Sequence, residues 1–307
     1  MIETENLTKK FGDLIAVENV TLKVNQGEIF GFLGPNGAGK TTTVRMLCCL
    51  ISKTSGYAKV GGYEIGLPEN ALNIRKIIGL VPDNVGLYES LTAYENLDYY
   101  GTLYRLSDSK RKESNEYFLK LLGLWEKRDA LTGTFSKGMK QKLAIARALI
   151  HNPEIIFMDE PTANLDPESA KTVREFILEL KNEKKTIFLN THNLYEAQRV
   201  CDRIGILNTR LMAVGTSQEL ERSVQGRKTV IQLRQVGKTI LDSLKRIEVK
   251  NMLIEGNKLT LDVVNPEEEN PDIVNAIVSA GGRIETVTVT SSSLEDAYLK
   301  LVKENAL

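Results

Sequence analysis

No run of about 18 apolar residues, the length a helix needs to cross a bilayer, occurs in this sequence. Met1 leads straight into the charged stretch Ile2–Lys10 without an apolar leader, so a cytoplasmic chain is expected. Net charge is missing too: 40 Lys plus Arg balance 40 Asp plus Glu, and no global field would gather nucleic acid or anionic lipid. Cysteine is scarce, with three in 307 residues. Cys48 and Cys49 are adjacent and Cys201 is remote, a pattern that fits neither a disulfide framework nor a zinc site, and buried reduced thiols are expected instead. Low-complexity tracts and internal repeats are lacking. What is present is a length that can bury a full core, with two domains expected rather than one.

Short β-rich runs alternate with helical segments over the first two thirds, which predicts a mixed α/β core. Ile29–Leu33, Ile155–Met158 and Thr186–Leu189 are apolar throughout, like strands buried on both faces of a sheet, and polar residues suited to chemistry follow them. Between them, Ala93–Leu122 and Met139–Ile150 carry apolar residues at helical spacing, the second closed by Pro153, and a helical subdomain is implied. The texture changes after about Glu221, where Ser223–Lys228 reads as a linker. The remainder parses as strand Thr229–Val236, helix Thr239–Ile247, strands Met252–Glu255 and Lys258–Val264 around a turn at Gly256-Asn257, helix Pro271–Ala280, strand Arg283–Val289 and helix Leu294–Val302. That order, βαββαβ plus a last helix, predicts a ferredoxin-like unit. It carries no catalytic motif.

Two stretches carry chemistry. Gly34-Pro35-Asn36-Gly37-Ala38-Gly39-Lys40-Thr41-Thr42 fits the pattern of Gly, four residues, then Gly-Lys-Thr, after a predicted strand and opening a predicted helix. Glycines let the backbone curl so that successive N–H groups face phosphate oxygens, and the helix start aims its positive end at them. Lys40 would add a full charge for the β and γ phosphates of ATP, and the Thr41 hydroxyl suits Mg²⁺, which prefers oxygen ligands. The second stretch is the apolar strand Ile155–Met158 ending in Asp159 and Glu160, with Pro161 breaking the chain. There Asp159 would hold the metal through water and Glu160 would take the proton of the attacking water.

Together these residues closely resemble the nucleotide-binding subunit of ABC transporters, and in particular the ATPases of ABC-2-type exporters, over about residues 1–220. Phe135-Ser136-Lys137-Gly138-Met139-Lys140-Gln141 resembles the family signature, which implies that Ser136 and Gly138 bind the γ-phosphate held by an opposite subunit in a head-to-tail dimer. Asn164-Leu165-Asp166 resembles the family's D-loop, with capping of the next helix by Asp166 as a compatible reading. His192 matches the switch histidine that contacts the γ-phosphate, and Phe11 falls where the family stacks an aromatic ring on adenine. The other histidine, His151, is expected to be solvated in a turn before Pro153.

Three positions depart from the family pattern. Asp83 stands where glutamine is usual, in the loop that senses Mg²⁺ and links to the permease, and we expect it to reach the metal through water. Lys137 replaces the first signature glycine and Met139 the closing glutamine. The resemblance implies an α/β P-loop NTPase ABC cassette over residues 1–222, with a RecA-like core and a helical subdomain at about 85–150. A small C-terminal α+β ferredoxin-like accessory domain would occupy 223–307, and its ending, Ser293–Leu299, resembles accessory domains of exporter ATPases. The expected function is ATP hydrolysis with Mg²⁺, in a pair of cassettes that drives an integral membrane permease from its cytoplasmic face. The permease groove is expected near Asp83–Leu97, with Val85, Leu87 and Tyr88 as apolar anchors or as core. Rival classes are a cassette that remodels ribosomes or DNA ends, which usually carries two cassettes or a long inserted coiled coil, and a small-molecule kinase, which has no use for the signature at Ser136.

Overall fold

The computed structural model describes residues 1–223, 227–247, 249, 251–290 and 293–304. Their contacts gather into two units, Met1–Thr216 and Ser217–Leu307. Among the described residues no helix is long and apolar enough to cross a membrane.

A six-stranded sheet runs through the first unit in the order Arg210–Gly215, Arg203–Asn208, Ile29–Leu33, Thr186–Thr191, Ile155–Asp159 and Ile78–Val81. All neighbours are parallel except the Arg210–Gly215 edge. Every residue of the three apolar strands named from sequence is buried, as a parallel sheet covered on both faces requires. Alternation of side chains divides them between two cores. Phe30, Phe32, Phe157 and Phe188 face one side and pack against each other with ring centroids 5.2–6.4 Å apart. A four-stranded antiparallel sheet (Leu14–Val24, Ile2–Phe11, Ser55–Val60, Tyr63–Glu64) and the helices Lys40–Leu47 and Pro68–Ile77 contribute to that core. Ile29, Ile156, Met158, Ile187 and Leu189 face the other side, where the helices Ala93–Leu103, Asp108–Leu121, Lys137–Leu149 and Pro167–Asn182 bury their apolar stripes. Truncating one of these phenylalanines to alanine would cost about 3–5 kcal/mol.

Register matters most for the site. Phe32 pairs with Asn190, Leu33 with Thr191, and Asp159 with Asn190, so three neighbouring strands reach their carboxyl ends at one level. That rim is where open α/β sheets hold ligands.

The apolar stretch read as helical over Ala93–Leu122 is two helices. Thr92 and Glu95 form a capping box at the start of the first, Arg105 turns left-handed at φ 59° after it, and Ser107 caps the second. His151 is not a solvated turn residue: its ring lies flat on Tyr104 with centroids 3.6 Å apart, and Nε2 is 2.9 Å from the Ile78 carbonyl oxygen. That bond requires the proton on Nε2, and burial pushes the imidazole down to about 4.

Helix Ser217–Ser223 opens the second unit, so the boundary expected between residues 222 and 223 falls on its last turn. The middle of the expected linker, residues 224–226, lies outside the described residues, and strand Arg227–Leu233 begins directly after it. Helix Lys238–Arg246, strands Met252–Glu255 and Lys258–Val263, helix Pro266–Ser279, strand Ile284–Thr290 and helix Leu294–Glu304 follow. The sheet is antiparallel in the order Met252–Glu255, Lys258–Val263, Arg227–Leu233, Ile284–Thr290, the ferredoxin-like βαββαβ arrangement. Its longer helix starts five residues before the expected Pro271. Pro266 opens it, three glutamates fill the first turn, and the Thr229 hydroxyl binds Asn270 at 2.6 Å. Those contacts outweigh the one backbone bond that Pro271 forgoes.

Candidate functional site

The Ile29–Leu33 strand leaves the sheet into the Gly34–Gly39 loop, and the helix Lys40–Leu47 begins there. Gly39 caps that helix in a left-handed conformation, φ 96°, with no side chain on the first-turn N–H groups. A Cβ at Gly39 would overlap the Ala16 carbonyl oxygen, and one at Gly34 the Leu207 carbonyl oxygen. The loop is therefore a bare backbone concavity at the positive end of a helix.

Lys40 folds over this loop. Its ammonium donates to the carbonyls of Gly34 (2.7 Å) and Pro35 (3.1 Å) and lies 3.9 Å from Glu160 Oε1. Burial lowers its affinity for a proton, and Glu160 and Asp159 act in the opposite direction. The Thr41 hydroxyl donates to Asp159 Oδ2 at 2.7 Å, and Asn190 donates to Asp159 Oδ1 at 3.1 Å, a consequence of the strand register. Asn190 Oδ1 is buried and has no hydrogen-bond partner among the described residues. This oxygen-rich corner suits a hard cation such as Mg²⁺. Among the described residues no group of three or more His, Cys, Asp or Glu could hold a metal, so such an ion would depend on Thr41, Asp159 and ligand oxygens.

Glu160 sits just past the strand end in a left-handed conformation, φ 50°. For a non-glycine residue this costs on the order of 1–2 kcal/mol, held here by the Glu160 N–H bond to the Asn190 carbonyl at 3.0 Å. The carboxylate accepts from His192 Nδ1 at 2.8 Å, which requires the proton on that nitrogen, and from Thr191 Oγ1 at 3.5 Å. Behind it, Thr162 and Arg174 both bind the buried Glu196, tying the loop after Glu160 to the helix after His192.

A cleft of about 360 Å³ gathers these parts, lined by Phe11, Asn36–Thr42, Asp83, Asp159 and Glu160. Phe11 is 49% exposed, with Lys9 Nζ 4.8 Å from its ring centroid. Leu14 and Ala16 also line the cleft and were missed from sequence, as were Asn190, Thr191 and Glu196. The alternation of the Leu14–Val24 strand offered a signal for the first two; the others matter only through tertiary register.

Ser136, Gly138 and Asp166 do not line that cleft; they form a second cluster. Ser136 caps the Lys137–Leu149 helix by accepting from Met139 N at 3.2 Å, and both Ser136 and Lys137 are exposed. Asp166 caps the Pro167–Asn182 helix through Ser169 N at 2.9 Å, and the bonds to Ser169 hold its carboxyl below the usual range. Gly138 touches the start of that helix so closely that a Cβ would overlap the Ser169 hydroxyl. The loop that follows Asp83 is clamped to the same signature helix at both ends, by Lys140 to Glu89 (2.5 Å) and by Arg147 to the Gly86 carbonyl (2.8 Å). Val85 and Leu87 pack on the core, whereas Tyr88 is exposed and meets Tyr99 edge-on at 5.2 Å.

Comparisons with known proteins converge. The family described as ABC transporter matches residues 17–163. The linearmycin resistance ATP-binding protein LnrL of Bacillus subtilis is 33% identical across 98% of both chains. The bacitracin transport ATP-binding protein BcrA of Bacillus licheniformis is 34% identical across 98% of this chain and 97% of its own, and a Nod factor export ATP-binding protein of Rhizobium is 36% identical across 98% and 96%. A solved ATP-binding subunit of an ABC transporter superposes with a TM-score of 0.67 at 32% identity, over 73% of this chain and 92% of that one. A dimeric cassette in a post-hydrolysis state with ADP and Pi superposes at 0.65 with 30% identity, over 70% and 98%.

Proposed function

This chain belongs to the family of ABC transporter ATP-binding proteins, and from that premise we propose how its residues share the work of an exporter ATPase. It is the ATP-hydrolysing, nucleotide-binding subunit that acts with a membrane permease. The Nod factor export protein among its relatives, beside proteins named for linearmycin resistance and bacitracin transport, supports export as the direction.

ATP stacks its base on Phe11 and lays its triphosphate along the Gly34–Thr42 loop, where backbone N–H groups and Lys40 match its charge. Thr41, with Asp159 and Asp83 through water, would hold Mg²⁺. When bound there, the ion would supply positive charge against the β and γ phosphates. Glu160 takes a proton from water as that oxygen bonds to the γ-phosphorus. The bond to the bridging oxygen breaks and ADP and phosphate leave. His192 holds Glu160 and reaches the γ-phosphate. The observation that carries this reading is Glu160 itself, a left-handed carboxylate set beside Lys40 and His192 at the strand rim.

Ser136, Gly138 and Asp166 serve the nucleotide of a second copy of this chain, which fits their place outside the cleft and the dimeric cassettes among its structural neighbours. ATP joins the two copies, and hydrolysis parts them. The exposed Tyr88 and Tyr99 receive a cytoplasmic segment of the permease, and through it the subunit sits at the membrane face. Arg147 and Lys140 then carry motion from the Asp83 loop to the signature helix. Glu160→Gln is expected to slow hydrolysis by about 10²–10⁴ and to trap an ATP-bound dimer in light scattering. Undiminished turnover would remove Glu160 from its role.

A further inference from the structure

The sheet of the second unit is covered by helices on one face. Ile231 and Leu233 are buried there against Ile240, Leu244, Ile273 and Ile277. Directly paired residues share a face, and register places Val287 opposite Ile231 and Val289 opposite Thr229, on this same apolar side. Yet Val287 is 41% and Val289 47% exposed: the helix layer stops short of them. The strand that carries them, Ile284–Thr290, is also an edge of the sheet, with seven residues, no proline and Glu285 as its one charge. Among the described residues its outer backbone groups have no partner strand. Long edges with little charge invite another strand. The opposite edge, Met252–Glu255, is four residues long.

We propose that the outer edge of Ile284–Thr290 pairs antiparallel with the same strand of a second copy, joining two C-terminal sheets into one around a two-fold axis at Thr288. The occupant follows from the sequence of the strand. Thr286-Val-Thr-Val-Thr290 reads the same from both ends, and a two-fold perpendicular to the sheet pairs only residues of one face, so this stretch is its own complement. With Thr288 on the axis, Val287 of each copy lies opposite Val289 of the other, extending the apolar layer on both sides. Centring on Val287 would instead set Glu285 against Val289. Such a ribbon buries on the order of several hundred Å², short of the ~1,200–2,000 Å² of a stable interface. It therefore closes only when something else brings the copies together. This rests on the cassette pairing proposed above, which supplies the high local concentration and the two-fold axis.

The test uses full-length Glu160→Gln with MgATP, dimer formation being followed by light scattering. Thr288→Cys in that background is expected to give a disulfide-linked dimer on copper–phenanthroline oxidation, while Leu253→Cys on the other edge and the unsubstituted cysteines give none. Val289→Lys is expected to weaken the ATP-induced dimer about tenfold. A dimer in solution without the Thr288→Cys link, or with the link at Leu253→Cys instead, overturns the strand pairing and leaves the cassette pairing standing. Monomers throughout overturn both.

Discussion

Two helices of the first unit begin where phosphate chemistry is expected, and they begin differently. Lys40–Leu47 starts from a left-handed glycine with no side-chain cap, inside a cleft, with Lys40 folded across its mouth. Lys137–Leu149 starts from exposed Ser136, whose hydroxyl already accepts from Met139 N. The first leaves its N–H donors open for an anion. The second already has one donor, Met139 N, taken by Ser136, lies outside the cleft, and gains a phosphate only when another surface carries one to it. That contrast, an open helix start in a cleft (the strong half) and a capped one at the surface (the weak half), is the arrangement the proposed shared site needs.

Removing charge from the strong half should have the largest effect. Lys40→Ala is expected to weaken ATP binding roughly a hundredfold in nucleotide titration, and a change under about threefold would break the contrast. Gly39→Ala comes next: a left-handed alanine that overlaps the Ala16 carbonyl should cost about 1–3 kcal/mol in denaturant unfolding and weaken binding with it. At the weak half, Ser136→Ala should cost about 1 kcal/mol of helix capping, leave ATP affinity of the single copy unchanged, and weaken the ATP-induced dimer. Equal losses at both stages would make the two helix starts alike.

A separate effect lies past the far end of the signature helix, away from either half, and depends on pH. Folding lowers the His151 imidazole from its ordinary 6.5 to about 4, so the unfolded chain binds more protons between those values. Stability is whole above pH 6.5 and falls as pH drops toward 4, by about 2–3 kcal/mol from this group. His151→Phe keeps the stack on Tyr104 and should flatten that part of the profile in unfolding curves at pH 4–7.

Much of the cleft proposed to hold the nucleotide was legible because its residues are neighbours in the chain. The glycine loop, Asp159-Glu160 and His192 each follow a strand whose apolar run announces it. Asn190, Glu196 and Arg147 were not legible: Asn190 matters through its place beside Asp159, Glu196 through Thr162 and Arg174, and Arg147 through the Gly86 carbonyl. Each is a contact between segments that periodicity cannot connect. His151 was misread for the same reason, since its partner Tyr104 lies 47 positions back (151 − 104). In the second unit the strands were legible from alternation, but Pro271 looked like a helix start because local rules cannot see Thr229 holding Asn270.

The central claim is that each nucleotide is served by Lys40 of one copy and Ser136 of another, and mixing variants tests it most directly. Lys40→Ala alone and Ser136→Glu alone should each be nearly inactive, since every site in either dimer is damaged. Mixed in equal amounts, half the dimers are hybrids with one of two sites intact, and about a quarter of native turnover should return. Hybrid dimers that form yet recover no ATP hydrolysis would contradict the account.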